Sequence, residues 1–103
     1  MAEPRRRLRL TESAEQDLTE IWSFIAADNR TAASKLVREI EARFETVRDR
    51  PEIGSRRDRL AAGLRIHFHR DYALYYRFTD IEVIIVRVMH GARDARALRF
   101  GEP

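Results

Sequence analysis

The stretch that decides the fold reads EVIIVRVMHGARD and spans residues 82–94. Five Val or Ile residues fall between positions 83 and 88, and side chains of this kind favour a β-strand. Arg87 interrupts the apolar run, and a basic residue inside a strand costs free energy unless it is paired or reaches water. The strand is therefore predicted to be central to the fold, and the environment of Arg87 depends on which face the rest of the chain covers.

The composition indicates one small domain without a disulfide or a thiolate metal site. The chain has 103 residues and no cysteine, so we expect a single domain over 1–103, with a basic extension at 1–7 and a tail at 91–103. His67 and His69 could share a face of a strand, but no third metal ligand is evident beside them. No metal and no other cofactor is therefore predicted. No apolar run approaches the ~20 residues that span a bilayer, and the N-terminus lacks the apolar region of a signal peptide. We therefore expect a cytoplasmic protein.

Charge is unevenly distributed along the chain. Residues 1–53 carry ten basic and eleven acidic side chains, whereas residues 54–103 carry ten basic and six acidic ones. All the basic side chains except Lys35 are arginine, which binds phosphates and carboxylates through two hydrogen bonds at once. The C-terminal half is therefore a candidate surface for an acidic partner, either nucleic acid or protein.

Two amphipathic helices are predicted before the strands. Thr11 and Asn29 are N-cap candidates for helices that extend to about Ala27 and to about Arg50. After each cap, apolar residues recur three or four positions apart, which is the spacing of one helix face. They are Ala14, Leu18, Ile21, Trp22 and Ile25 in the first helix and Ala33, Leu36, Val37, Ile40, Phe44 and Val47 in the second. Because the connection is short, the helices are expected to form an antiparallel hairpin.

Three strands are predicted after the hairpin, over residues 64–70, 72–79 and 82–90. The breaks between them are short enough for β-hairpins, which makes an antiparallel meander. A further short strand is expected within residues 5–10, where leucines alternate with arginines. The predicted fold class is α+β, with an N-terminal helical hairpin packed on a small antiparallel sheet.

Alternation along each strand predicts which side chains face the hairpin. The side toward the helices is expected to hold Leu64, Ile66, Phe68, Leu74, Tyr76, Phe78, Ile84, Val86 and Val88. The opposite side is expected to gather Arg65, His67, His69, Tyr75, Arg77 and Arg87. This arrangement places Arg87 away from the hairpin, on an exposed basic face where it needs no buried partner.

A basic face with histidine and tyrosine admits two kinds of chemistry. Arginine binds phosphates and histidine moves protons, so such a face supplies the groups that an RNase needs for attack by a 2′-hydroxyl. The residues with these groups are Arg65, His67, Arg87 and His90. Many sheets expose arginine and histidine to water without any activity, so a solvated face, or one that an acidic partner covers, stays as the alternative.

Several short motifs occur in a recognisable order along the chain. They are Leu10-Thr11, Asp17-Leu18, Asp28-Asn29, Gly63-Leu64-Arg65, Tyr75-Tyr76 and the ending RVMHGARD at 87–94. Together, over roughly residues 8–94, they resemble the ParE toxins of the RelE/ParE superfamily of bacterial toxin–antitoxin systems. The resemblance implies a helical hairpin packed on an antiparallel sheet, in agreement with the periodicity.

The resemblance implies a growth-inhibiting toxin that a cognate ParD-like ribbon-helix-helix antitoxin neutralises in a hetero-oligomer. ParE members poison DNA gyrase, whereas RelE members cleave mRNA on the ribosome. RelE-type nucleases carry lysines on the sheet, which are absent here, and the ending at 87–94 is closer to ParE. The expected function is therefore gyrase poisoning without catalysis. The alternative is a ribosome-dependent mRNA endonuclease that uses Arg65, Arg87 and His90.

Two binding surfaces are expected on this interpretation. The target-binding residues are expected to be Arg87, His90, Arg93 and Arg96. The antitoxin-binding residues are expected to be Leu18, Trp22, Leu36, Ile40, Arg65 and Arg77. Apolar anchors of the antitoxin's C-terminal segment would lie over the hairpin groove and the sheet edge, and its acidic groups would meet arginines. The sequence does not separate helix residues in this groove from those in the core.

Overall fold

The chain folds into a helical hairpin packed on a five-stranded sheet, in a computed structural model that describes residues 5–91. The elements are β1 (Arg7–Leu10), α1 (Glu12–Ala26), α2 (Arg30–Asp49), a 3-10 turn (Pro51–Ile53), β2 (Ser55–Arg56), β3 (Arg65–His69), β4 (Tyr72–Phe78) and β5 (Glu82–His90). The α+β class and the hairpin are as predicted. Within residues 5–91, no helix has the length and apolarity needed to cross a membrane.

Both helices begin at the side-chain caps that the sequence predicts. The Thr11 hydroxyl accepts a hydrogen bond from the Ala14 N–H at 3.0 Å, and the Asn29 side-chain oxygen accepts one from the Ala32 N–H at 2.9 Å. Each cap satisfies one of the N–H groups that have no partner inside the helix. Helix α2 ends just before Pro51, because proline lacks the N–H that would continue the helix.

The strand order is β1-β5-β4-β3-β2. Strands β3, β4 and β5 pair antiparallel, as predicted. Strand β2, which was not predicted, pairs antiparallel with β3, whereas β1 pairs parallel with β5. The sheet is therefore mixed, because the chain returns from β1 through the two helices before β5 enters the sheet. Strand β1 pairs only with residues 82–85 of β5, so the second half of that edge of β5 has no strand partner among residues 5–91.

Strand β3 presents the opposite face to the one predicted. His69 contacts Glu39 of α2, whereas Leu64 and Ile66 pack on the outer side of the sheet in a second apolar cluster with Tyr75 and Met89. The apolar residues of β3 thus cover the outer face. The prediction was wrong because it assumed that apolar side chains lie only under the helices.

Strand β5 is also out of phase with the prediction, and a β-bulge is part of the reason. Val83 and Ile85, rather than Ile84 and Val86, enter the core under the helices. Tyr75 pairs with Arg87 and Tyr76 with Ile85, so Val86 is an extra residue. Ile85 and Val88, three positions apart, therefore both belong to the helix-facing core. Strict alternation cannot show such a shift.

Tyr76 fixes the turn that follows α2. Its buried hydroxyl donates to the Pro51 carbonyl at 2.7 Å and accepts from the Gly54 N–H at 2.8 Å. Burial raises the pKa of the Tyr76 hydroxyl, which favours the protonated form that the bond to Pro51 needs. Arg65 donates to the Gly54 carbonyl at 2.8 Å. Arg65, expected on the outer face, is therefore bonded to this turn.

Candidate functional site

Side chains of α1 complete the edge of β5 where β1 has ended. The Thr11 hydroxyl donates to the Val86 carbonyl at 2.8 Å. The Asp17 carboxylate accepts from the Val88 N–H at 2.9 Å. A buried backbone group without a partner costs free energy. These two side chains therefore supply the hydrogen bonds that a neighbouring strand would otherwise make to β5. Helix α1 is therefore hydrogen-bonded to the strand that carries the RVMHGARD motif.

Arg87 pairs with the same carboxylate. Its Nε and Nη2 lie 2.8 and 2.9 Å from the two carboxylate oxygens of Asp17, in a bidentate arrangement. Asp17 is only 8% exposed, so its charge requires such partners. Arg87 pairs in the sheet with Tyr75 of the outer cluster, but the prediction that it needs no buried partner is wrong, because its guanidinium is bonded to Asp17 of α1. The side chain is 25% exposed, and its role in target binding stays a prediction.

Beyond Arg87, strand β5 ends beside the turn between β3 and β4. The Gly91 N–H donates to the Asp71 carbonyl at 2.8 Å. The His90 ring meets the Tyr72 ring edge-on, with 5.3 Å between the centroids. A shallow cleft of about 390 Å³ opens here, lined by Phe68, Arg70, Asp71, His90 and Gly91. We call it the exit cleft.

The expected target-binding residues are only partly covered by the structure. His90 lines the exit cleft, and Arg87 lies behind it against α1. Arg93 and Arg96 fall outside residues 5–91, the part of the chain that the structure describes. Phe68 and Arg70 were not predicted as part of this region, since their position depends on the pairing of β3 with β4.

The residues of the nuclease alternative are not gathered at one point. Arg65 of β3 pairs with Tyr76, whereas His90 of β5 pairs with Tyr72. Tyr72 and Tyr76 are four positions apart, which is about 13 Å along a strand. Strands β3 and β5 also flank β4 on opposite sides. Arg65 and His90 are therefore separated both along and across the sheet, and Arg87 is engaged by Asp17.

The expected antitoxin-binding residues divide between the core and the surface. Leu36 is 9% exposed and Ile40 is fully buried, which assigns both to the core. Leu18 and Trp22 are partly buried on α1, and Arg77 is exposed on β4. Arg65 is partly buried as well, so the residues of this set that offer a partner surface are Leu18, Trp22, Arg65 and Arg77, whose binding roles stay predictions.

A cluster of polar side chains joins β3 to α2. The Arg43 Nε donates to Nδ1 of His69 at 3.3 Å, and Nε2 of His69 lies 2.9 Å from the Glu39 carboxylate. Because Nδ1 accepts, the ring proton is assigned to Nε2, which donates to Glu39. This hydrogen bond from His69 lowers the pKa of Glu39, and the charge of Arg70 adds to the effect. The cluster fixes the orientation of β3 against the hairpin.

His67 is next to this cluster, but its ring is partly buried and, within the described part of the chain, lacks the hydrogen bonds that His69 makes. Among residues 5–91, no group hydrogen-bonds its buried Nε2. Burial lowers the pKa of His67, and the nearby Arg43 and His69 act in the same direction. The folded chain thus binds a proton at His67 less readily than the unfolded chain, whose histidine pKa is about 6.5. The contribution to stability is present above about pH 6.5 and is lost as the unfolded state takes up the proton at lower pH.

We expect the substitution His67→Gln to remove this part of the pH dependence. The free energy of unfolding of the wild type, relative to the variant, should fall as the pH is lowered from about 7 to about 5. Glu39 of the folded state takes up its proton only below this pH window, because its pKa is lowered from the ordinary carboxyl range. Urea unfolding at a series of pH values measures the difference. A difference that does not change with pH would contradict the account.

Comparison with known proteins agrees with this architecture. The chain matches the family model described as ParE toxin of type II toxin–antitoxin system, parDE, over residues 8–95. It is 32% identical over 92 residues to Toxin ParE1 of Caulobacter vibrioides (strain ATCC 19089 / CIP 103742 / CB 15), covering 86% of this chain and 93% of that protein. A solved structure described as a chromosomal ParDE TA system from P. aeruginosa has a similar fold, with a TM-score of 0.71 and 21% identity, covering 84% of this chain and 96% of that one. The chain therefore belongs to the ParE toxin family of type II toxin–antitoxin systems.

Proposed function

We propose that this chain inhibits growth by binding and poisoning DNA gyrase and that a cognate ParD-like antitoxin neutralises it. The observation that supports this most is the match to the ParE toxin family over residues 8–95. The resemblance in the motif at 87–94 points to the gyrase-directed members of the superfamily. The toxin acts by binding: it stabilises the intermediate in which gyrase holds cleaved DNA.

The placement of the candidate nuclease residues favours binding over RNA cleavage. General acid–base catalysis needs an acid, a base and a cation within hydrogen-bond reach of one substrate. Arg65 and His90 lie at opposite ends of β4, and the guanidinium of Arg87 is held by Asp17. One scissile phosphate does not reach all three side chains in this arrangement.

The antitoxin is proposed to lie over the hairpin and along the outer edge of β3. Strand β2 pairs only with Arg65 and Ile66, so within the described part of the chain residues 67–69 have no strand partner on that side. An extended segment adds to such an edge through main-chain hydrogen bonds. The partly buried Leu18 and Trp22 offer apolar contacts, and a cation such as Arg77 attracts acidic groups.

Induction of the toxin alone in a bacterial host tests the proposal against its alternative. We expect growth to stop with breaks in the chromosome and with mRNA intact. Co-expression of the antitoxin should restore growth, and induction of the antitoxin alone is the control. Cleavage of mRNA within ribosomes, with the chromosome unbroken, would instead favour the endonuclease alternative.

A further inference from the structure

Arg70 has a backbone conformation that most side chains avoid. It is the first residue of the two-residue turn between β3 and β4, and its φ is 54°. No other non-glycine residue in the described range 5–91 has a positive φ. Glycine adopts this conformation without steric cost and is the usual residue at such a turn position. Residues held in such conformations cluster at functional sites, so the surroundings of the Arg70 side chain are informative.

The ion pair that the Arg70 side chain makes with Glu39 contributes little stability to offset this strain. The Arg70 side chain is 64% exposed, and its ion pair with Glu39 spans 3.3 Å. Exposed ion pairs of this type contribute little to stability, because water screens them and both side chains lose freedom. Glu39 also has a second and closer partner in His69, at 2.9 Å. The guanidinium of Arg70 can therefore exchange Glu39 for an incoming acceptor at little cost.

Phe68 presents an exposed aromatic ring beside Arg70. It is 56% exposed, whereas Ile66, on the same side of β3, is 5% exposed, and Leu64, just before the strand, is 1% exposed. Phe68 and Arg70 line the same exit cleft, next to His90. Aromatic residues, including phenylalanine, and arginine are both enriched in protein interfaces relative to the rest of the surface. The two residues therefore fit a contact surface better than a stabilising role within the chain.

We propose that Phe68 and Arg70 form part of the surface with which this toxin binds its target and that the target supplies a protein segment. The segment would have a large apolar side chain, which packs on Phe68, and a carboxylate next to it, which pairs with Arg70. The proposal rests on the proposed function, because it extends the expected target surface from His90 to the turn between β3 and β4.

The charges around the exit cleft favour protein over nucleic acid as the occupant. Binding to nucleic acid depends on several cations that neutralise neighbouring phosphates. Among residues 5–91, the lining of the cleft includes one arginine, Arg70, and also the acidic residue Asp71. Glu39 adjoins Arg70 and is held in the charged form by its hydrogen bond to His69, which lowers its pKa. These carboxylates would repel a run of phosphates. A protein segment with a single carboxylate beside an apolar group can pair with Arg70 and pack on Phe68.

The test compares Phe68→Ala and Arg70→Gly with matched controls in a supercoiling assay with purified gyrase. The control for Phe68 is Ile81→Ala, since Ile81 is 71% exposed in the turn between β4 and β5. The control for Arg70 is Arg59→Ala, since Arg59 is exposed in the loop before β3. We expect each test variant to raise the inhibitory concentration about tenfold or more, with the controls like the wild type. Arg70→Gly should also keep or raise the melting temperature, because it relieves the positive φ.

Three results would overturn the proposal. One is that both test variants inhibit gyrase at the same concentration as the wild type. Another is a loss of inhibition that follows a loss of folded protein in thermal unfolding, because that indicates a role within the fold. The third is binding to duplex DNA without gyrase that both substitutions weaken, because that indicates a nucleic-acid surface.

Failure of the proposed function gives a different pattern. If wild-type toxin leaves gyrase active, the gyrase proposal is wrong, and the same four variants are compared by growth inhibition on induction. Weaker inhibition by Phe68→Ala and Arg70→Gly than by their controls would still support the target surface. Equal inhibition by all four would overturn it.

Discussion

Replacing Asp17 with alanine is expected to lower the free energy of unfolding by about 3 kcal/mol or more. The substitution leaves the guanidinium of Arg87 without its carboxylate and leaves the Val88 N–H without its acceptor. Unpaired groups of this kind pay their desolvation cost without compensation. The value falls toward the lower end of the range for buried ion pairs, because the Arg87 side chain is 25% exposed.

Urea unfolding of Asp17→Ala beside Glu20→Ala measures this effect. Glu20 is an exposed carboxylate on the same helix, and its removal should change stability by less than about 0.5 kcal/mol. Asp17→Asn should fall between the two, since an amide oxygen still accepts one hydrogen bond but carries no charge. Equal stability of Asp17→Ala and Glu20→Ala would mean that the contact between α1 and β5 does not hold the sheet edge.

Replacing Gly54 with alanine is expected to cost about 2–3 kcal/mol. An added methyl group would collide with the hydroxyl and ring of Tyr76 and would lie 2.8 Å from the Ile66 carbonyl oxygen. Tyr76 is fully buried and hydrogen-bonded at its hydroxyl, and the carbonyl belongs to the backbone of the sheet, so neither yields easily. The backbone of Gly54 is extended, with a φ of −77°, so the cost is steric.

Gly91→Ala is the matched control for this substitution. A methyl group there would lie 3.4 Å from the Asp71 carbonyl oxygen, which is close to an ordinary contact, and stability should change by less than about 0.5 kcal/mol. Thermal and urea unfolding of the two variants provide the comparison. If Gly54→Ala unfolded like Gly91→Ala, the turn after α2 would not be packed on Tyr76 in the way described.

The helices and the antiparallel succession of β3, β4 and β5 could be predicted from the sequence because their signals are local. The parallel pairing of β1 with β5 could not, because it joins segments about 75 positions apart. A cap such as Thr11 or Asn29 acts within three residues, and the apolar period of a helix repeats along its length. The sequence does not show in the same way which side chains of a strand face the core. Residues 83–86 are all apolar, so alternation carries no information about which side faces the core. The bulge at Val86 then changes the phase between Ile85 and Val88, and the pattern contains no sign of it.

The pairing of Asp17 with Arg87 had a signal in the sequence that was not used. Asp17 lies three residues after Ala14 and four before Ile21, so it falls on the apolar face of α1. An acidic residue on an apolar helix face and an arginine inside an apolar strand are each costly alone. Together they predict one buried ion pair, although the residues are 70 positions apart.

The exit cleft could not be predicted in the same way. Nothing in the sequence distinguishes exposed Phe68 from buried Ile66, because both continue the same alternating apolar pattern. The positive φ of Arg70 follows from the two-residue turn that the pairing of β3 with β4 imposes. Only the assembled sheet brings these residues beside His90.

The most direct test of the central claim is a supercoiling assay with purified gyrase, relaxed plasmid and increasing amounts of the purified toxin. The account predicts that supercoiling decreases with toxin concentration and that linear plasmid accumulates when the reaction is quenched with detergent and protease, because cleaved DNA is trapped in the gyrase complex. Addition of the cognate antitoxin before gyrase should restore supercoiling. Complete supercoiling at toxin in large excess over gyrase, without linear plasmid, would contradict the claim.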